Sequence, residues 1–235
     1  MSAIDTDGEK IVPNVLRPKD AATLVLVRHE PRQEPRVLMG KRHERMVFQP
    51  NKYVFPGGRL DPADQRLVVS TELKPHVLAK ISIGISVARA RGLALAAIRE
   101  TFEEAGVLVG ERSDVVPRTK ADAWRRFFAH RILPRIDGLE FIARAITPPN
   151  RTRRFDARFF MADATAIAHT LAAIDNEELL EPCWLTLAEA RSLDLPSVTR
   201  RVLDEVEARL TDGPDAARPV PFLRFVRGQP GMVHL

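Results

Sequence analysis

Three glutamates that share one face of a predicted helix are the most chemically distinctive residues of the sequence. Glu100, Glu103 and Glu104 occupy positions i, i+3 and i+4 of the segment Leu93–Ala105, whose apolar residues also recur at helical spacing. Like charges at these spacings repel one another, and the negative end of the helix dipole adds to that cost. A hard divalent cation such as Mg²⁺ reverses the repulsion, because it binds carboxylate oxygens, water and phosphate oxygens. The pattern therefore predicts a metal site; a solvated acidic face paired with Arg99 is the alternative.

A glycine turn upstream of this helix is the second feature that favours a binding site. Lys52–Phe55 is typical of a short strand, and Pro56-Gly57-Gly58 follows it. Two glycines after a proline indicate a sharp change of backbone direction that larger residues resist. Asp61-Pro62 then combines an N-cap residue with a proline at the first helical position, which predicts the start of a helix.

The remaining elements that must position these residues mix strands and helices without strict alternation. This mixture favours an α+β fold over a doubly wound one. Predicted strands are Ala21–Val27, Arg36–Arg42, Glu140–Ile146 and Arg158–Ala162, and predicted helices are Trp124–His130, Leu187–Ser192 and Val198–Leu210.

The composition of the sequence disfavours a disulfide-bonded, a membrane-spanning and a nucleic-acid-binding protein. The 235 residues are 45% hydrophobic and 29% charged, and the one cysteine, Cys183, excludes an intrachain disulfide. The polar N-terminus and the lack of a long apolar run predict a cytoplasmic protein with no membrane partner. The net charge of +5 suits an anionic small molecule, whereas one tyrosine and no aromatic RNA-binding pattern disfavour a nucleic-acid partner. A homodimer is left open.

The segment around the glutamates resembles the second half of the Nudix box. That pattern is a glycine, five residues, a glutamate, seven residues, then Arg-Glu-x-x-Glu-Glu-x-Gly and an aliphatic residue. Phe55-Pro56-Gly57-Gly58 looks like the beginning of the same box. The later matches, in order, are Arg99, Glu100, Glu103, Glu104, Gly106 and Val107.

This resemblance implies a fold, a cofactor and an activity. The implied fold is a Nudix-like α/β/α sandwich with a mixed β-sheet, and the implied cofactor is Mg²⁺ or Mn²⁺. By family role, Glu100, Glu103 and Glu104 are the metal ligands and Arg99 orients carboxylates. The metal would neutralise a diphosphate and activate water, so the chain is expected to be a Nudix diphosphatase acting on a small nucleotide substrate.

The box is interrupted in this chain. Gly58 and Arg99 are 41 positions apart, about 27 more than in the uninterrupted pattern. Counted back from Arg99, the earlier glutamate of the box falls on Arg91, which cannot bind a metal. Asp61 and Asp64 are the candidates to replace it. We expect one domain over residues 1–235, with a loose lead-in at 1–20 and an insertion at 65–91 inside the box.

The insertion is expected to be mostly helical and to pack beside the substrate cleft. Its basic residues would then face substrate phosphates, and a peripheral flap is the alternative. These residues are Lys74, Lys80, Arg89 and Arg91.

A second resemblance suggests a branch of the superfamily. The interrupted box and the segment RRFDARFF at 153–160 are similar to the branch that includes a peroxisomal coenzyme A diphosphatase. The motif that often precedes the box in coenzyme A-cleaving members is matched by Leu38, Met39 and Arg42, but His43, Val47 and Asn51 depart from it. The residues predicted to bind substrate are Gly57, Gly58, Arg42, Arg154 and Arg158.

Other functions stay open at this stage. The substrate could be ADP-ribose, a dinucleotide or capped RNA, and a non-catalytic Nudix-fold nucleotide sensor is a rival of a different class. Glu178, shortly before Trp184, aligns with a late loop glutamate that approaches the metal in Nudix enzymes, so it is a further catalytic candidate. A solvated loop acid is the alternative for Glu178.

Overall fold

Strands and helices follow one another irregularly along the chain. The computed structural model describes residues 5, 7–12, 16–172, 178–226 and 229–235. The strands are β1 (Lys19–Arg28), β2 (Arg36–Arg42), β3 (Tyr53–Val54), β4 (Gly57–Arg59), β5 (Val107–Val109), β6 (Glu111–Arg112), β7 (Ile132–Leu133), β8 (Glu140–Ile146), β9 (Phe155–Asp163), β10 (Ile167–Thr170), β11 (Leu179–Thr186), β12 (Pro221–Val226) and β13 (Gln229–His234). The helices are α1 (Pro62–Arg66), α2 (Pro75–Ile81), α3 (Val87–Ala105), α4 (Asp122–Ala129), α5 (Leu187–Ser192) and α6 (Ser197–Asp212), with a 3-10 turn at Ala164–Ala166.

Nine of the described strands form one mixed sheet. Its order is β11-β2-β1-β9-β8-β12-β13, with β3 beside β2 and β4 beside β1. β1 pairs in parallel with β9, and β8 in parallel with β12, whereas the other pairs are antiparallel. One half of β1 pairs with β2 and the other half with β4, so the sheet divides at this edge of β1. The predicted α+β class with a mixed sheet is confirmed.

Helices cover both faces of the sheet. Leu24 and Leu26 of β1 pack into a core cluster that includes most of α3, and Val25 and Val27 pack into a second cluster with α6. Because both faces are buried, β1 is a nearly continuous apolar run rather than an alternating one. This layering confirms the predicted α/β/α sandwich.

The helix that carries the glutamates is longer than predicted. Ser86 caps it by accepting a hydrogen bond from the Arg89 backbone N–H at 3.2 Å, so the helix begins at Val87 rather than at Leu93. It ends at Gly106, whose φ of +66° is the left-handed conformation that glycine adopts without steric cost.

The predicted insertion contributes to the core. It contains α2, the last residues of α1 and the first turn of α3, so 14 of its 27 residues are helical. Leu73, Val77 and Ile81 are at most 2% exposed and pack in the same cluster as α3.

The four basic residues of the insertion that were expected to face substrate phosphates contact the protein instead, which corrects that expectation. Each one lies beside a carboxylate or carbonyl oxygen of the protein, because the segment folds back onto the sheet. The contacts are Lys74 with Glu140, Lys80 with the carbonyls of Ala216 and Arg218, Arg89 with Asp20, and Arg91 with Glu72.

The described part of the N-terminal lead-in is docked on the fold. Ser197 donates to the Asp7 carboxylate from its backbone at 3.0 Å, and Gln49 donates to Glu9 at 2.6 Å. The remainder of the predicted loose segment, at 1–4, 6 and 13–15, lies outside the described residues. Among the described helices, none has the length and apolar character needed to cross a membrane.

Candidate active site

The glycine pair begins strand β4 rather than forming the predicted turn, and it meets the carboxylate end of α3 beside the divided edge of β1. The Gly57 backbone N–H donates to Glu104 Oε2 at 2.8 Å. A Cβ added to Gly57 would lie 2.6 Å from Thr23 Oγ1, and one added to Gly58 would lie 2.4 Å from the carboxyl carbon of Glu100. Of these two glycines, which were predicted to bind substrate, Gly58 lets Glu100 approach the strand backbone, and Gly57 lets β4 lie close to Thr23 of β1.

Glu100 and Glu104 are carboxylates in a desolvated environment. Burial raises the pKa of Glu100 to about 7, although the neighbouring Arg99 charge opposes the shift. Burial also raises the pKa of Glu104 to about 8, and the Glu100 charge adds to that rise while the Gly57 hydrogen bond opposes it. The protein thus holds two acidic groups together at a cost that a bound cation would offset.

Arg99 uses all of its side-chain donors to organise this end of the helix. Its Nε and Nη2 donate to the two oxygens of Asp64, each at 2.9 Å, and Nη2 also donates to the Arg59 carbonyl at 2.8 Å. Its Nη1 donates to Glu100 at 2.8 Å and to Glu103 at 2.7 Å. Burial alone lowers the pKa of Arg99, but the Asp64 hydrogen bonds and the surrounding carboxylates raise it above its usual value. Arg99 therefore fixes the directions of two of the three glutamates.

Asp64 occupies the place that the sequence comparison had assigned to Arg91. It is fully buried and accepts a third side-chain hydrogen bond from Trp124 Nε1 at 2.8 Å. Counted forward from Gly58, Asp64 stands at the glutamate position of the Nudix pattern, so the extra residues follow it rather than precede it. Arg91 instead pairs with Glu72 near the start of α3. The spacing of six positions from Gly58 to Asp64 is therefore the signal in the sequence that distinguishes Asp64 from Asp61.

Glu103 lies between two guanidinium groups. Its Oε2 accepts from Arg99, and its Oε1 accepts from Arg126 Nη2 of α4 at 2.9 Å. It is the most exposed of the three side chains, at 23%, compared with 15% for Glu100. Its predicted role as a metal ligand therefore requires that at least one of these ion pairs open.

The donor chemistry of this site fits a hard divalent cation. Within the described ranges, no three acidic, histidine or cysteine side chains already converge as a metal cage. Mg²⁺, however, commonly takes only one or two protein carboxylates and completes its shell with waters and substrate phosphates. Glu100 and Glu104 are such a pair, with pKa values raised by burial. They are the residues that would hold the cation.

Two further predicted residues lie near Glu104. The charge of Glu178 raises the pKa of Glu104 and the charge of Arg42 lowers it, so both side chains are close enough to act on it. The Glu178 carbonyl accepts from the His43 backbone N–H at 3.0 Å, which anchors its loop to the end of β2. Arg42 Nε donates to the Phe48 carbonyl at 3.1 Å. The structure thus brings these candidates to the same end of the site.

Arg158 and Arg154, which were predicted to bind substrate, contact acceptors of the protein instead, and Arg158 does so in the interior. Arg158 is 1% exposed, and its Nη1 lies 2.9 Å from Asp20 and 3.2 Å from Asp156. Arg154 precedes β9 and donates to the carbonyls of Thr147 and Leu16. These side chains are committed to internal acceptors, which corrects the expectation that they form a phosphate-binding surface.

Solved structures share this arrangement of sheet and helices. The chain is similar to a Nudix hydrolase from Alicyclobacillus acidocaldarius, with 26% identity, a TM-score of 0.60, and coverage of 84% of this chain and 99% of that one. This likeness supports a hydrolase of the Nudix superfamily. The predicted superfamily and enzyme class are confirmed. No model of a protein family matches the sequence, and a comparison with curated proteins finds no match.

More distant structures have lower scores. RenU, a Nudix hydrolase of M. smegmatis, has 16% identity and a TM-score of 0.46, and covers 93% of this chain and 99% of its own. The Nudix domain of Shewanella oneidensis NrtR, solved with ADP ribose, has 13% identity and a TM-score of 0.47, and covers 83% of this chain and 90% of its own.

Proposed function

We propose that this Nudix hydrolase cleaves the diphosphate linkage of a nucleotide conjugate, and that coenzyme A or an acyl-CoA is its preferred substrate. The observation that carries the activity is the pair formed by the buried Glu104 and the partly buried Glu100 beside Gly57 and Gly58 of β4. A divalent cation bound there supplies charge neutralisation of the diphosphate and activation of water.

The residues around this pair have defined tasks in hydrolysis. Arg99 orients Glu100 and Glu103, and Gly57 orients Glu104, so the acidic groups are preorganised before substrate arrives. Hydrolysis joins the water oxygen to one phosphorus, the bridging oxygen leaves with the other phosphate, and a proton is released. A bound cation would favour the ionised form of both carboxyls, so Glu100 and Glu104 would act in the reaction as its ligands.

Sequence resemblance supports coenzyme A as the substrate. The interrupted box, the RRFDARFF segment and the match at Leu38, Met39 and Arg42 favour the same branch. Arg42 also lies near Glu104, which suits a contact with the diphosphate. Arg154 and Arg158 lend no support, because they are bound internally.

A panel of diphosphate substrates with mass-resolved products tests the proposal. We expect coenzyme A to give adenosine 3′,5′-bisphosphate and 4′-phosphopantetheine when Mg²⁺ or Mn²⁺ is present, and no product in EDTA. Glu104→Gln should lose turnover by orders of magnitude while keeping its fold. The panel includes ADP-ribose, a dinucleoside polyphosphate and capped RNA. A clear preference for one of these would overturn the coenzyme A assignment, and nucleotide binding without turnover of any substrate would establish a sensor.

A further inference from the structure

A cleft of about 560 Å³ opens beside the carboxylate helix, between the end of α1 and the beginning of α4. Its lining includes Asp64, Arg99 and Glu103, which connect it directly to the site described above. Trp124 contributes a buried indole to the wall. The volume falls in the range of small-molecule sites. A group bound here would lie next to Arg99 and Glu103 of that site.

The charges that line this cleft leave two cations without carboxylate partners. The side chain of Asp61 accepts a hydrogen bond from the Ala63 backbone N–H at 2.6 Å and caps α1. Arg66 and Lys120 are exposed, and within the described ranges neither has an ion pair or side-chain hydrogen bond. The other lining carboxylates are neutralised in the pairs Asp64–Arg99, Glu103–Arg126 and Asp122–Arg125.

We propose that Arg66 and Lys120 bind a second phosphate of the substrate, a phosphate monoester that is not cleaved. This inference rests on the proposed diphosphatase function, and it assigns a binding site to the phosphate of the substrate that is not cleaved. Coenzyme A carries such a group at its 3′ position, whereas ADP-ribose does not.

The chemistry of the two cations selects this ligand. A guanidinium contacts two phosphate oxygens at once, and a lysine ammonium adds a compact charge. The cleft also receives the N-terminus of α4, where Ala121 provides no side-chain cap, so the helix dipole adds to the attraction of the two cations. The carboxylates that line the cleft are paired with other cations or serve as helix caps. Arg66 and Lys120 are therefore available to bind an incoming anion.

The test compares substrates that differ by this phosphate. The double variant Arg66→Gln/Lys120→Gln is assayed for kcat/KM with coenzyme A and 3′-dephospho-coenzyme A. We expect kcat/KM for coenzyme A to fall on the order of tenfold or more in the double variant, and kcat/KM for the dephospho form to change little. The expected fall is modest because each exposed cation contributes little to phosphate binding. The matched control is Arg118→Gln/Arg201→Gln, which removes the same charge from exposed residues outside the cleft. It should behave as the wild type.

A binding experiment separates the cleft from the reaction. Adenosine 3′,5′-bisphosphate and AMP are titrated into the wild type and into both double variants. The wild type and the control should prefer the bisphosphate, and the cleft variant should lose that preference. An unchanged preference in the cleft variant overturns the role of Arg66 and Lys120. Failure of the wild type to cleave coenzyme A would instead overturn the proposed substrate, and the bisphosphate titration would still decide the role of the cleft.

Discussion

Asp64 and Arg99 form a two-point ion pair in the protein interior, with Nε–Oδ1 and Nη2–Oδ2 distances of 2.9 Å each. Their side chains are 0% and 8% exposed. The pair joins α1 to α3, and through Arg99 it also fixes Glu100 and Glu103. One buried carboxylate therefore supports both the fold and the arrangement of the acidic site.

Removal of Asp64 should destabilise the protein strongly. Asp64→Ala leaves Arg99 as a buried charge without its main partner, which costs about 3–5 kcal/mol of unfolding free energy. Asp122→Ala, which removes an exposed partner of Arg125, is the control and should cost under about 1 kcal/mol. Urea unfolding measures both. Similar small losses in the two variants would contradict the structural role of Asp64.

The stability of the metal-free protein should fall as the pH rises from about 5 to 8. Glu100 and Glu104 have pKa values raised from 4.5 to about 7 and about 8, so the folded state holds more protons than the unfolded chain in this window. Their stabilising contribution is complete below the unfolded value and is lost as the folded groups ionise. Unfolding in EDTA across this pH range measures the slope, and Glu104→Gln should flatten it. A slope that Glu104→Gln leaves unchanged would count against these assignments.

Gly58→Ala should lower activity more than it lowers stability. The new Cβ would fall 2.4 Å from the Glu100 carboxyl carbon, so that carboxylate must move. Displacing a catalytic group by about 1 Å can reduce the rate on the order of 100-fold. Gly138→Ala, where nothing lies within 4 Å of an added Cβ, is the control. Comparable kcat/KM for the two variants would show that the close approach of Gly58 and Glu100 is unimportant.

Arg126→Gln should increase the affinity of the substrate-free enzyme for Mn²⁺. Arg126 holds Glu103 Oε1 at 2.9 Å, and a metal would have to compete with it for that oxygen. An exposed ion pair contributes up to about 1 kcal/mol, so the increase should be up to about fivefold. Titration calorimetry or the Mn²⁺ resonance signal measures it. Arg125→Gln, one residue away on α4, should bind Mn²⁺ like the wild type, and weaker binding by Arg126→Gln would refute the competition.

Local sequence signals predicted the elements that carry the site better than they predicted its contacts. β2, β8 and α5 have the predicted bounds, because apolar periodicity and turn residues mark their ends. The beginning of α3 was missed, since Ala-Arg repeats at 88–91 have no apolar face of helical period, and the Ser86 cap determines where it starts. The local sequence pattern indicates which residues belong to a helix or strand, but it does not indicate which side chains of the neighbouring elements they contact.

The same limit explains the errors in residue roles. Arg158 was predicted to bind substrate because of the resemblance of its arginine-rich segment, yet Asp20 on the neighbouring strand β1 and Asp156 on β9 itself make its burial tolerable. Asp20 is 138 positions away in the sequence, so spacing alone could not reveal this partner. Asp64, in contrast, was accessible from the sequence, because its distance from Gly58 follows the pattern of the box.

The Asp64–Arg99 pair also has a consequence for the entropy of the chain. The two residues are 35 positions apart, so the ion pair closes a longer loop than the uninterrupted box does. Loop-closure entropy grows only with the logarithm of length, and the added cost is roughly 1 kcal/mol. Burial of Leu73, Val77 and Ile81 offsets that closure cost and part of the entropy lost when the added residues become ordered. Extra chain in the middle of a catalytic motif is therefore tolerated more readily when it brings apolar residues of its own.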